Sequence, residues 1–242
     1  MNRLRIQHTS EYRYSRPFPY SAQALRLTPR RDISQRTLNW TIHAPGVRAE
    51  QLDAHGNITH LLTLEESHRY IEVVVTGLVE ITWSELPLPH EGPLSPLAYL
   101  APTALTQVTP GLANLAASSR PQNGATWEWI TRLGRGVREL HPGDAASDAL
   151  AHAFLACCRA IGVPARYVSG YRHIDEERAD RIAWVDIWSV TQDGWIALDV
   201  DRVEPARSHH CRLAVGRDFL DAAPVRSHRP GESIETLRIR DQ

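Results

Sequence analysis

The stretch DAASDALAHAFLACCRAIGVPARYVSGY, Asp144 to Tyr171, decides the fold. From Ser147 to Ile161 it reads as helix: Ser147, Ala151, Phe154, Cys158 and Ile161 recur at a spacing that puts them on one face. Gly162 and Pro164 stop that helix, since glycine accepts the left-handed turn past a helix end and proline cannot continue one. Ala165 to Tyr171 then reads as a strand. Two more strand candidates follow, Arg181 to Val190 and Gly194 to Val200, and the tail from Glu235 to Arg240 alternates like a last strand. Upstream, Leu112, Leu115 and Ala116 suggest a short helix, and Trp127, Ile130, Leu133 and Val137 a longer one. A helical layer followed by strands is an α+β pattern.

The first 85 residues have a different period. Arg3 to His8 and Glu11 to Tyr14 alternate, and Leu25 to Leu27, Leu38 to Ile42, Ile58 to Leu64 and Tyr70 to Trp83 are rich in strand-forming residues. Breaks fall at Pro17 and Pro19, Pro29, Pro45-Gly46 and His55-Gly56-Asn57. Short connections without helices imply an antiparallel sheet or sandwich. The segment LPLPHEGPLSPLAYLAPT, Leu86 to Thr103, carries five prolines and suits neither a continuous helix nor a central strand. The expected organisation is an antiparallel β domain over 1–85, a proline-rich linker over 86–103, and a second domain over 104–242 that includes the C-terminal strand.

The bulk composition narrows the classes. Of 242 residues, 42% are hydrophobic and 23% charged, the make-up of a globular chain with a normal core. A formal net charge of -1 gives no electrostatic reason to expect nucleic acid or an anionic membrane. No apolar run reaches the roughly 18 residues of a membrane span, and the polar start MNRLRIQHTSEYRY lacks the apolar core of a signal peptide. The cysteines are Cys157, Cys158 and Cys211; an odd count without a framework fits a reducing cytoplasm. Neither these nor His152, His209 and His210 follow a zinc spacing, and no metal or other cofactor is expected.

The runs CRAIGVPARYVSGY, RIAWVDIW, GWIALDVDR and RLAVGRDFLDAAPVR resemble the bacterial transglutaminase-like family, papain-like cysteine proteins with an N-terminal β domain. IQHTSEYRYSRPFPYSAQALRLTPR resembles the start of that domain and DAHGNITHLLTLEESH its Gly-Asn turn, so the resemblance covers nearly the whole chain. It implies a papain-like transglutaminase core after the β domain. Active members carry a Cys–His–Asp triad. The cysteine heads the core helix in a Gly-Val-Cys-Gln-Asp-Phe-Ala-His pattern, the histidine opens a His-Ala-Trp-Val-Glu strand, and the aspartate lies in a Gly-Trp-x-x-x-Asp-Pro strand. A helix N-terminus favours the thiolate, the imidazole carries the proton, and the carboxylate orients the imidazole.

Matched on Ala151-His152, this chain has Ser147 at the cysteine. Matched on Ala183-Trp184-Val185-Asp186, it has Ile182 at the histidine. Gly194-Trp195 leads to Asp199, so the third position is kept, followed by Val200 instead of proline. A serine hydroxyl without a base is a weak nucleophile, and Ile182 carries no proton. The expectation is a degenerate triad of Ser147, Ile182 and Asp199. His152, about 140° round the helix from Ser147, is expected to bond a neighbouring segment, and His173 to sit in a solvated loop. Asp199, without its imidazole, is expected to find Arg166, Arg202, a tryptophan N–H or a backbone amide. Trp184, Trp188 and Trp195 lie on strands that line the former cleft, with Trp184 and Trp195 as candidate lining of a binding site.

Three readings follow. The leading one is a catalytically inactive binding or assembly protein, whose partner is an active transglutaminase-like relative or a peptide. The second is an amide hydrolase or acyltransferase that uses Ser147 with a non-standard base such as His173. The third is a binding module that works through the β domain, where Arg30, Arg31 and Asp32 would be exposed.

Overall fold

The computed structural model describes residues 2–82, 87–121, 124–175, 179–227 and 232–241, so the expected strand end at Trp83 and linker start at Leu86 lie outside it. The chain opens with β1 (Asn2–Phe18), β2 (Ser21–Leu25), β3 (Gln35–His43), β4 (Val47–Leu52), β5 (Ile58–Leu64) and β6 (His68–Ile81). A two-residue strand, β7 (Leu88–Pro89), precedes α1 (Pro110–Ser118), α2 (Trp127–Leu140) and α3 (Ser147–Ala160). Next come β8 (Ala165–His173), β9 (Ala179–Ser189), β10 (Gly194–Asp199), β11 (Glu204–Pro205) and β12 (His210–Gly216). A short α4 (Phe219–Ala222), β13 (Val225–Ser227) and β14 (Glu232–Asp241) close the chain. The class is α+β, with an antiparallel N-terminal region followed by a mixed core.

The N-terminal strands form two four-stranded antiparallel sheets, ordered β14-β1-β6-β3 and β13-β2-β5-β4. β1 shows why: Leu4, Ile6, His8, Ser10, Tyr12 and Tyr14 are buried and most of their neighbours are not, the period of a half-buried strand. The inward residues of both sheets meet in one core with Leu25, Leu62, Ile71, Val73 and Val75. β13 and β14 come from the end of the chain, yet β14 pairs along β1 from Leu4–Asp241 to Arg13–Glu232. The last strand therefore belongs by pairing to the N-terminal sheet and not to the second domain. Its exposed Ile234 and alternating pattern suit a sheet edge.

The third sheet runs β11-β10-β9-β8-β12, with β7 added on β10. The helices cover one of its faces. Leu150, Phe154 and Cys158 of α3 pack with Ile130 and Leu133 of α2 and with Tyr167, Ala183, Val185 and Ile187 of the sheet. α3 is buried almost all round, from Leu150 to Cys158. It stops at Gly162, which adopts a φ of 76°. The other sheet face carries Val168, Ile182, Trp184 and Val215, while Tyr171, Cys211 and Leu213 join the N-terminal core. β8, held between these two sides, is buried along its whole length.

Polar contacts fix the seam between the two units. Asn57, from the Gly-Asn turn, donates to Val215 O at 2.7 Å and accepts from Val215 N at 2.8 Å, so its amide acts as one more backbone partner for β12. Arg30 is buried, donating to His55 O, Asn57 Oδ1 and Glu91 O, and the Asp32 side chain lies against Arg212. Of the three residues expected on the surface there, only Arg31 is exposed. The proline-rich segment is more than a crossing. It supplies β7 and a 3-10 turn over Pro96–Leu100 whose Tyr99 is buried and whose carbonyl accepts from Arg159 Nε.

Candidate functional site

Ser147 is the first residue of α3. No side chain caps this helix, because Ala146 occupies the capping position. The Ser147 hydroxyl oxygen accepts a hydrogen bond from the backbone N–H of Ala183 at 3.1 Å. The helix head and strand β9 are thus in contact where the family pattern sets the first two triad members. Ile182, however, does not face Ser147. Alternation along β9 turns Ala183 and Val185 toward α3 and Ile182 to the opposite face, against Val168, Trp184 and Val215. Among the described residues no histidine bonds the Ser147 hydroxyl.

The next residue, Asp148, accepts a 2.6 Å hydrogen bond from Tyr167 Oη. Burial pushes the Tyr167 phenol up, and the Asp148 carboxylate adds to that. His152 stacks on the Tyr167 ring, and its Nε2 accepts from Phe219 N at 3.1 Å, which places the ring proton on Nδ1. This is the neighbouring-segment role expected for it, and burial lowers its pKa. His173 ends β8 and is buried instead of lying in a solvated loop. Its ring packs beside His209.

Asp199 ends β10, fully buried. Its Oδ2 accepts from Arg172 Nη1 at 2.7 Å and faces His210 Nε2 at 3.2 Å, and its Oδ1 accepts from the backbone amides of Asp201 and Arg202. The backbone partners are as expected; the side-chain partners are Arg172 and His210, not Arg166 and Arg202. Arg166 is committed elsewhere, to Asp186, which Arg212 also holds. Burial pushes the Asp199 carboxyl up, but His210 and Arg172 outweigh it and hold it below the usual range.

His210 went unread as a site residue because it comes from β12, across the sheet from β10. A Cβ at Gly170 would lie 2.4 Å from Trp184 Cη2, so only glycine lets the Trp184 ring lie across β8. His210 packs edge-on to that ring at 5.4 Å. Its Nδ1 accepts from Arg207 N, so Nε2 carries the proton toward Asp199. Both ring nitrogens are used, and burial lowers the pKa, so His210 is a neutral structural donor and no free base.

Trp184 and Trp195 are nearly fully buried, yet both line a cavity of about 300 Å³. The cavity sits between the units. Ala197 and His210 lie on its sheet side, and Ser34 and Ile81 come from the β domain. Ser147 and Ile182 are not among its walls. The cysteines offer no replacement nucleophile: all three are buried and unpaired. Burial pushes the Cys157 thiol up to about 12 and raises Cys158 and Cys211 as well. No group of metal-ligating side chains occurs among the described residues.

Two family models match the chain. The bacterial transglutaminase-like N-terminal region matches residues 4–80, and the transglutaminase-like superfamily matches residues 132–200, which span Ser147, Ile182 and Asp199. Residues 132–200 are a transglutaminase-like superfamily core by that match. This transglutaminase-like chain is 26% identical to an uncharacterized protein of Mycobacterium leprae (strain TN), over 99% of its own length and 97% of that protein's. It is 28% identical to another of Mycobacterium tuberculosis (strain ATCC 25618 / H37Rv), over 93% and 87%. Its fold is that of a crystal structure from Cytophaga hutchinsonii named, provisionally, as a cysteine protease. That likeness has a TM-score of 0.77 and 18% identity, and covers 100% of this chain and 90% of that one. Among the described residues no helix is long and apolar enough to cross a membrane.

Proposed function

We propose that this transglutaminase-like chain has an inactive papain-like centre and works by binding, with the cavity beside Trp184 and Trp195 as the ligand site. The observation that carries this is the state of Ser147. Its oxygen accepts a backbone N–H from Ala183, and among the described residues no imidazole takes its proton. A hydroxyl in that setting stays un-ionised at neutral pH. The retained Asp199 supports the same reading, because it balances Arg172 and His210 instead of orienting a base. Losing two members of a group that acts as a unit removes nearly all of its rate.

The cavity suits one bulky side chain of a peptide. Tryptophan and aliphatic side chains make most of its walls, and Ser34, Thr82, Gln192, Arg207, His210 and Arg212 add polar ones, the mix that fixes a ligand's orientation in an apolar pocket. The test is an acyl-transfer assay read by mass spectrometry, with glutamine-containing peptides and amines as substrates and Ser147→Ala beside the wild type. No transfer by either protein is expected. Transfer by the wild type that Ser147→Ala abolishes overturns the reading.

A further inference from the structure

We propose that Ser21 and His68 form a second reactive centre, a serine nucleophile with its general base, acting on small apolar acyl esters held in the aromatic pocket beside them. It lies in the β domain and does not depend on the reading of Ser147.

The geometry assigns each proton. His68 Nδ1 lies 2.8 Å from the carbonyl oxygen of Glu66. A carbonyl only accepts, so Nδ1 carries the ring proton and Nε2 is left with its lone pair. Ser21 Oγ lies 3.0 Å from that Nε2 and therefore donates to it. This is the nucleophile–base–orienter arrangement of serine hydrolysis, with a main-chain carbonyl in the orienting place. The carbonyl fixes the productive tautomer, and its dipole stabilises the imidazolium less than a carboxylate would, so slow turnover is expected.

Two strand starts hold the pair. β2 begins at Ser21, paired with Leu64, and β6 begins at His68, paired with Phe18. The Tyr14 ring stands edge-on to His68. Beside the dyad is a pocket of about 450 Å³ with Tyr14, Phe18, Pro19, Tyr20, Ser21 and a second serine, Ser227, among its walls. Tyr20 is exposed at its rim, and Ser21 and His68 are half-buried, so a ligand can reach them. A comparison within the molecule marks Ser21 out. Ser10 Oγ lies 3.1 Å from His8 Nε2, but both residues are sealed in the core, and His8 Nδ1 meets Tyr171 Oη, which fixes no tautomer.

Ser21 Oγ adds to the ester carbonyl carbon as His68 Nε2 takes the hydroxyl proton. The bond to the leaving oxygen then breaks, and Nε2 returns the proton to that oxygen, freeing the alcohol. Water attacks the Ser21 acyl ester with Nε2 again as base. The carboxylic acid leaves as the proton returns to Oγ. Nδ1–H stays on the Glu66 carbonyl throughout.

The whole chain is incubated with an alkyl fluorophosphonate, and the adduct is mapped by peptide mass spectrometry. The modified residue is expected to be Ser21. The adduct is expected to vanish in Ser21→Ala and to form at least about a hundredfold more slowly in His68→Gln, the low side of what a general base contributes. Hydrolysis of p-nitrophenyl butyrate is expected to fall in both variants. No adduct, an adduct on another serine, or labelling unchanged by His68→Gln overturns the proposal. Mapping on the wild type decides the matter even if a variant fails to fold.

Discussion

His210 and Asp199 meet across the central sheet, Nε2 to Oδ2 at 3.2 Å, although they come from strands on its opposite sides. The carboxylate that in active relatives would orient a catalytic imidazole thus meets an imidazole whose two nitrogens are both occupied. Arg172 completes the group, and Asp180 and Asp201 lie 3.1 and 3.3 Å from its guanidinium. Removing one partner of a buried pair strands the other charge. Asp199→Ala is expected to cost about 3 kcal/mol, the low end for such a loss, because Arg172 keeps its other two carboxylates. Thermal unfolding of the variant beside the wild type measures it; an unchanged melting temperature would mean that the cluster is not a stabilising one.

Ser147→Ala separates structure from chemistry. The substitution removes the acceptor of the Ala183 N–H and leaves that donor unpaired where strand meets helix. The expected cost is about 1–3 kcal/mol of stability, the range for an orphaned buried donor. Denaturant unfolding checks it. Unchanged stability would show that water replaces the hydroxyl at no cost.

The cysteines are expected to be silent in the native protein. Cys157, Cys158 and Cys211 are buried, and burial raises all three thiols above their ordinary value. An inert thiol is one kept from its thiolate form. With a disulfide reagent at neutral pH, no thiol should titrate within minutes, and all three should titrate in guanidinium. Fast native reaction at Cys157, whose Sγ donates to Leu112 O, would show that α1 opens from α3.

How much of this was legible in the sequence follows from what each residue faces. β5 carries a dense apolar run and was read at its true bounds. β4 was not seen, because all six of its residues are exposed and no apolar alternation marks it. The spacing puts Trp127 on the inner face of α2, yet it is 39% exposed, while Trp129 takes the core place and donates to Ser119 O. Ser147, Ile182 and Asp199 were placed by motif, but strand alternation alone could not say which sheet face α3 covers, so the outward turn of Ile182 needed the structure. Nothing local announces that His210 meets Asp199 or that His68 meets Ser21. Those pairs are made by strand order and register.

Stability should begin to fall on mild acidification, ahead of carboxylate protonation. His8 is sealed between Tyr171 and Ser10, and burial lowers its pKa to about 4; burial also lowers His210 and His152. A folded-state pKa below the unfolded value means that the unfolded chain takes up the proton first. The stability linked to His8 is therefore fully present above about pH 6.5, declines as pH falls, and is gone below about pH 4. Over that window His8 alone is expected to remove about 3 kcal/mol. Asp186 and Asp199, held below the usual range, add their losses at lower pH still. The measurement is the melting temperature from pH 7.5 to 4.5 for the wild type and His8→Gln. The variant should be less stable at pH 7.5 and show a flatter slope below pH 6.5. Parallel curves would place the acid sensitivity in His210 and His152 instead.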